Sequence, residues 1–313
     1  MKFADLFAGA GGFSYGLKRA GFTPELAIEK DESACKTYRN NIDKNCLSED
    51  LTSVVPKDFD LDVDLIAGGP PCQDFSVANY YSRGGEKTNL VFVFQDWIEY
   101  FKPKYFIMEN VPGIKSVDNV FDRLVSGFED MGYIVSHNKC NASNFGVPQK
   151  RERIFIVGCM NEIYNFPTVN RRKVTVSEAF FDLPSPNFED DTGYLNHERP
   201  SHREETVEKF SEIKNGEPVY DSWSEKIRLN PDELSPTLKA GQRSTFHFLH
   251  PYEDRGLTVR ERARLQSFPD WFEFFGSVTE QRKQTGNAVP PEMARFIGEQ
   301  IKNTNKKTSV FDY

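Results

Sequence analysis

The first 160 residues alternate short apolar runs with amphipathic stretches, and this rhythm constrains the fold more than any other feature. KFADLF (2–7) predicts a strand, followed by a glycine turn and a helix with Phe13, Leu17 and Ala20 on one face. Residues 23–28 predict a second strand, and 31–41 a helix that opens on acids. DVDLIAG (62–68) predicts a buried strand, NLVFVFQDWIEYF (89–101) a mostly apolar helix and KYFIM (104–108) the next strand. A helix over 119–131 and strands over 133–139 and 153–158 complete the series. Strands separated by helices build a mainly parallel sheet layered with helices, an α/β fold of Rossmann-like type.

From about residue 166 the periodicity fades. Prolines and charges crowd FPTVNRRKV, DLPSPNFEDD and NHERPSHREE, which predicts a smaller, more irregular domain. NAVPPEMARFIGEQI (287–301) restores a helix, with prolines at its start and Met293, Phe296, Ile297 and Ile301 on one face. The polar tail after Ile301 is expected to fray.

Composition excludes several classes. No stretch approaches the roughly 20 apolar residues that span a bilayer. MKFADLFAGAGGFSYGL resembles a signal peptide only superficially, because Asp5 interrupts it and glycines cluster where an apolar helix belongs. Five cysteines (Cys35, Cys46, Cys72, Cys140 and Cys159) include no CxxC pair, which argues against a zinc site or a disulfide framework. A reducing, cytoplasmic setting fits that pattern. The net charge of −8 by itself disfavours a nucleic-acid binder. Basic residues nevertheless gather at 149–153, 171–173, 239–243 and 260–264, and an acidic chain can still line one cleft with cations.

Four stretches carry candidate chemistry. DLFAGAGGF (5–13) is a glycine turn between strand and helix, which lets a ligand approach backbone N–H groups. Ser14 occupies the place of a dinucleotide fingerprint's third glycine. Glu29 ends the second strand, where an acid binds ribose hydroxyls, and Asp50 follows a candidate third strand. Together these suggest an adenosine-containing cofactor, while a plain tight βα turn remains the bland alternative. In GGPPCQDFS (68–76), Cys72 sits at a strand end; the stretch alone leaves core packing and nucleophile at even odds. MENVPG (108–113) places Glu109 directly after a strand, where a buried acid can donate a proton. In NFGVPQKRERIFIVG (144–158), Arg151 and Arg153 alternate before a strand, which suits two arginines aimed into a cleft. An ordinary solvated edge is the alternative for both.

In this order and spacing, these four stretches closely resemble the cytosine carbon-5 DNA methyltransferases of restriction-modification type. RGLTVRERARLQSFPD (255–270) and QTGNAVPPEMA (284–294) extend the resemblance, which runs from Phe3 to about Ile301 and is weakest over 166–245. It implies S-adenosylmethionine as cofactor, cradled by Phe7, Gly9, Gly11 and Gly12. Glu29 would hold its ribose, Asp50 its adenine, and Asn287 would close the pocket. Lys30 departs from the bulky apolar residue that many relatives carry there. Cys72 would be the nucleophile, Glu109 a proton or hydrogen-bond donor to the base, and Arg151 and Arg153 orienting groups. No metal is required.

The same resemblance implies residues 1–165 as the catalytic and cofactor-binding domain, completed by 285–313. It implies 166–284 as a target-recognition domain with its variable part at 166–250. The partner would be double-stranded DNA, with the target base flipped out and residues 73–90, Lys87 included, closing over it. No membrane is implied, and a monomer with a separately acting restriction endonuclease is the expected arrangement. Arg260 to Arg264 are expected on a structural helix rather than on DNA. Three other readings stay open: a nicotinamide-dependent oxidoreductase, a tRNA cytosine-5 methyltransferase of related fold, and a non-catalytic DNA-binding homologue. The missing third glycine weakens the first, the absent CFT tripeptide the second, and the full set of candidate catalytic residues the third.

Overall fold

The computed structural model describes residues 1–71, 90–117, 119–186, 192–220, 226–240 and 247–308, with backbone alone over 305–308. β1 (Lys2–Leu6), β2 (Thr23–Ile28), β3 (Cys46–Leu47), β4 (Leu65–Gly68), β5 (Tyr105–Asn110), β6 (Ile134–Asn141) and β7 (Glu152–Cys159) form one sheet, ordered β3-β2-β1-β4-β5-β7-β6. Neighbours from β3 to β5 are parallel, whereas β7 runs antiparallel to both β5 and β6. The chain steps from β1 outward through β2 and β3, then returns to β1's other side with β4. That reversal of order leaves a crevice at the C-terminal strand ends, where open α/β sheets bind ligands.

The predicted strands are all present, with local differences at their ends. β1 stops at Leu6 because Phe7 turns to φ 60°, outside the strand region. β4 is shorter than DVDLIAG: Asp64 lies before it, and its carboxylate accepts a hydrogen bond from the Lys2 N–H at 2.8 Å. β5 runs on to Asn110, so Glu109 lies inside the strand rather than after it.

The described chain divides into two compact units. One comprises Met1–Asn141, Glu152–Thr168 and Met293–Tyr313; the other comprises Ala142–Arg151 and Val169–Glu292. The first contains the sheet with α1 (Gly12–Arg19), α2 (Glu32–Asn41), α3 (Leu90–Phe101) and α4 (Val120–Asp130). All six residues of β5 are buried, as expected for a strand covered on both faces. Trp97 and Ile98 of α3 and Phe128 of α4 pack with Phe106 of β5 into one apolar cluster. The Phe106 and Phe128 rings pack tilted at 31° with centroids 4.1 Å apart. Each such buried side chain contributes about 1.5–3 kcal/mol.

The second unit carries α5 (Val176–Phe180), α6 (Glu204–Ser211), α7 (Val259–Leu265) and α8 (Val278–Asn287). Three of these start on a capping box: Thr175 with Glu178, Thr258 with Glu261, and Ser277 with Glu280. Its apolar cluster is small, built on Val176, Leu229, Leu238, Phe248, Leu257 and Leu265. A second cluster forms on Phe210 and Leu249, the rings of Phe268, Phe272 and Phe274 pack together, and buried arginines lie among them. α9 (Pro291–Thr308) carries the chain back to the first unit and continues seven residues past Ile301, where fraying was expected. The Thr304 hydroxyl bonds the Gln300 carbonyl at 2.9 Å within that extension.

Candidate active site

The glycine turn after β1 is built by three left-handed residues, Phe7 at φ 60°, Gly9 at φ 55° and Gly11 at φ 89°. Gly11 must also be small, because a Cβ there would lie 2.8 Å from Ile42 and 2.9 Å from Tyr38. At Gly9 a Cβ would meet nothing within 4 Å, so open space lies above the turn. The Gly9 N–H donates to Glu29 Oε2 at 2.9 Å, and Asp31 N–H donates to Oε1 at 2.8 Å. Glu29 is thereby aimed back over the turn from the end of β2. Gly12 opens α1 and is buried.

Beneath the turn lies a group that the sequence reading missed. Ser14 donates to Asp5 Oδ2 at 2.6 Å and its hydroxyl also meets the Tyr38 hydroxyl at 2.9 Å. Asp5 is fully buried, and that burial pushes its pKa up to about 7. Ser14 thus stands where a third glycine would because it ties helix α1 to this acid. The only sequence signal was the Asp5–Ser14 spacing across the turn.

Asp50 follows β3 and caps its own turn, accepting from the Thr52 N–H at 3.0 Å and the Thr52 hydroxyl at 2.9 Å. These bonds and the nearby Lys30 lower its pKa. Lys30 Nζ lies 3.7 Å from Asp50 Oδ2, so the residue that departs from the family pattern is an ion-pair partner of the expected adenine-binding acid.

The C-terminal ends of β1, β4 and β5 lie side by side, with Leu6 opposite Gly68 and Gly68 opposite Met108. Glu109 therefore sits beside Gly69. A Cβ on Gly69 would lie 3.2 Å from Glu109 Oε2, so glycine here allows the carboxylate its close approach. Arg153 of β7 meets Glu109 at 2.8 Å from Nε to Oε1, with both side chains about nine-tenths buried. Arg153 also donates from Nη1 to the Glu152 carbonyl at 2.7 Å. The Asn110 amide holds the Pro70 carbonyl at 3.1 Å. Pro70 and Pro71 lead directly into Cys72, which lies outside the described residues, as do residues 73–89 of the expected closing segment.

Arg151 belongs to the second unit. It is 1% exposed, and its guanidinium donates to the carbonyls of Leu238, Gly286 and Ala288, each at 3.0 Å. Alternation suggested two arginines aimed together into a cleft; the structure gives Arg153 to a carboxylate and Arg151 to backbone carbonyls. Asn287, between two of those carbonyls, is exposed at the end of α8. Three further side chains complete this network. Gln149 donates to the Leu265 carbonyl and accepts from Leu238 N–H, Gln266 donates to the Thr285 carbonyl, and Arg262 donates to the Thr285 hydroxyl.

A model of the C-5 cytosine-specific DNA methylases matches residues 1–303. The chain belongs to that family. Its similarity to type II methyltransferase M1.HphI of Haemophilus parahaemolyticus is 37% identity over 98% of this chain and 88% of that protein. With type II methyltransferase M.DdeI of Desulfomicrobium norvegicum it shares 34% identity over 96% of this chain and 88% of the other. Among solved structures, it resembles a prophage-encoded E. coli protein provisionally described as a DNA modification methyltransferase. That likeness has a TM-score of 0.80 at 26% identity and covers 98% and 99% of the two chains. The methylase family acts on DNA, and its chemistry implies a methyl donor. Among the described residues, no group of three or more His, Cys, Asp or Glu side chains is placed to hold a metal ion. None of the described helices is long and apolar enough to cross a membrane.

Proposed function

We propose that this methylase transfers a methyl group to carbon 5 of a flipped cytosine in a specific duplex DNA sequence, through a covalent adduct with Cys72. The observation that carries the reading is the Glu109–Arg153 pair held against Gly69, three residues before the cysteine. Carbon 5 of cytosine is a poor nucleophile within its aromatic ring. Addition of the Cys72 thiolate to carbon 6 breaks the aromaticity and makes carbon 5 enamine-like. Glu109, fixed by Arg153, meets ring nitrogen 3 and stabilises the charge that develops there. Arg153 in turn orients Glu109 and the base. Carbon 5 would then take the methyl group of the sulfonium donor, whose sulfur departs as the neutral thioether. Loss of the carbon-5 proton to water and expulsion of the Cys72 thiolate restore the aromatic ring and free the enzyme. Because carbons 5 and 6 are inaccessible in a stacked duplex, the base must leave the helix, at a cost of a few kcal/mol.

S-adenosylmethionine, as the methyl donor, supplies an electrophilic sulfonium methyl when bound. The turn residues fit it: open space above Gly9 admits a ligand to the backbone, and Glu29 reaches over that turn. Phe7, Gly9, Gly11 and Gly12 would cradle it, Glu29 would take its ribose hydroxyls and Asp50 its adenine amine. Asn287 would bear on the same cofactor, and Arg151 would act by holding the backbone on either side of Asn287. Residues 166–284 would read the target sequence, with phosphate contacts setting register and side chains in the major groove selecting bases.

Glu109→Gln tests the reading. Methyl transfer is expected to slow by about 100- to 1000-fold, with duplex and cofactor affinities little changed. Equal losses in binding and turnover, or no loss, would remove Glu109 from the chemistry. Bisulfite sequencing of DNA from cells expressing the protein would show the modified cytosines and their sequence context.

A further inference from the structure

The second unit uses its buried guanidinium groups in a consistent way. Arg228 donates to the His250, Glu253 and Phe210 carbonyls and to Asp254. Arg255 is clasped by Glu261 and Glu253. Arg260 donates to the carbonyls of Leu195, Pro269 and Phe272. Arg264 joins Asp182 and Asp270. Arg282 on α8 is different. Its Nε–H is buried without an acceptor, as are those of Arg151 and Arg228, but whereas their Nη groups are bonded, its guanidinium enters no hydrogen bond or ion pair among the described residues. Burial lowers its pKa, as expected for a cation whose lost hydration no protein group replaces. A buried donor left unmet costs about 1–3 kcal/mol, a cost that an acceptor from outside would remove.

Arg282 lines a cavity of about 230 Å³ inside this unit, together with Arg199, Ser201, Val259 and Val278, and with Glu198. Arg199 is committed in part to Glu253, 3.4 Å away, whereas Glu198 is exposed and screened by water. The cavity therefore offers one uncommitted, half-buried cation beside an apolar wall of valines. It has room for several waters or for one phosphate group with part of its sugar. Phosphate oxygens suit a guanidinium fork, and the apolar wall suits the adjoining sugar face.

We propose that this cavity is a phosphate-group site, held by Arg282, for a phosphodiester or a free phosphate oxyanion. Only the phosphodiester source rests on the duplex-DNA reading above.

Inorganic phosphate titrated into the full chain should shift the Arg282 Nε–H resonance saturably, and Arg282→Gln should weaken phosphate binding at least tenfold. Glu198→Gln, at an exposed position, should tighten it several-fold and does not depend on the core tolerating a change at Arg282. For duplex DNA, Arg282→Gln should reduce the slope of log affinity against log salt by about 0.9, the loss of one phosphate contact, with Arg282→Lys restoring most of it. A change in the DNA slope assigns the site to the backbone, and a phosphate response alone assigns it to a free anion. Absence of both, with Glu198→Gln also inert, overturns the proposal. If the wild type bound no duplex at all, the DNA reading would fall while the phosphate titration still decided the cavity.

Discussion

In the sheet unit Trp97, Phe106 and Phe128 fill the interior, and most of the titratable groups of interest stand at strand ends. In the second unit Arg151, Arg255, Arg260 and Arg262 are buried among backbone carbonyls and acids. The first interior is made mainly of side chains that need only volume and apolarity, with the Asp5–Ser14–Tyr38 group as a polar exception. The second mixes small apolar clusters with many donors that need a particular acceptor each. Burial holds the Arg262 pKa down to about 9 and that of Arg260 down to about 10. Burial also opposes the charge of Arg255, but Glu261 and Glu253 outweigh it and hold its pKa above the usual value. An apolar core tolerates graded change, because removing a methylene costs in proportion to the atoms lost. A polar interior does not, because removing one partner strands the other in a place that water cannot reach.

The largest expected effect follows from that difference. Arg255→Met leaves Glu261 buried without its cation and should cost about 3–5 kcal/mol, measured as a shift in urea midpoint. A cost under about 1 kcal/mol would mean that the ion pair contributes nothing beyond its packing. Ile66→Val in β4 should cost only about 0.5–1.5 kcal/mol by the same measurement, since one methylene leaves a fully buried site. If the two costs proved equal, the contrast between the units would be false.

The two units also differ in how their stability follows pH. Folded Asp5, with its pKa pushed up to about 7 from an ordinary 3.8, keeps its proton where the unfolded chain has lost it. The stability from this group therefore falls as pH rises from about 4 to about 7 and then levels. His250 works in the opposite sense: burial lowers its pKa to about 4 from 6.5, so its contribution is lost as pH falls across that interval. Asp5→Asn should flatten the first slope and leave the second. Hydrogen exchange followed across pH 4 to 7 in each unit would read both, and unchanged slopes in the variant would contradict the assignment.

The same contrast explains what could be read before the fold was seen. Strands such as KYFIM and RIFIVG announce themselves because a covered strand is a continuous apolar run. Glu29, Glu109 and the glycine turn were legible because each ends or follows such a run. Within the second unit, TVSE, TVRE and SVTE carried capping boxes in plain view, yet the surrounding charge hid the helices they open. Arg260 to Arg264 read as a charged face, and as an arginine-bearing helix they match the expectation of a structural role. No periodicity could say which carbonyls they bind, because those acceptors come from residues 179 to 282 by way of the fold. Arg151 shows the limit most clearly: its alternation with Arg153 is visible in the chain, but its partners lie 87 to 137 residues away.

In the proposed reaction the thiol of Cys72, which follows Gly69, Pro70 and Pro71 in the chain, attacks the base while Glu109 and Arg153 assist. Duplex DNA carrying 5-fluorocytosine at the target position tests it directly, since fluorine cannot leave carbon 5 as a proton does and the adduct cannot collapse. With S-adenosylmethionine present, digestion and mass spectrometry should find the methylated nucleotide on the peptide that contains Cys72, and Cys72→Ser should show none. Turnover that survives Cys72→Ser, or an adduct on a different residue, would contradict the account.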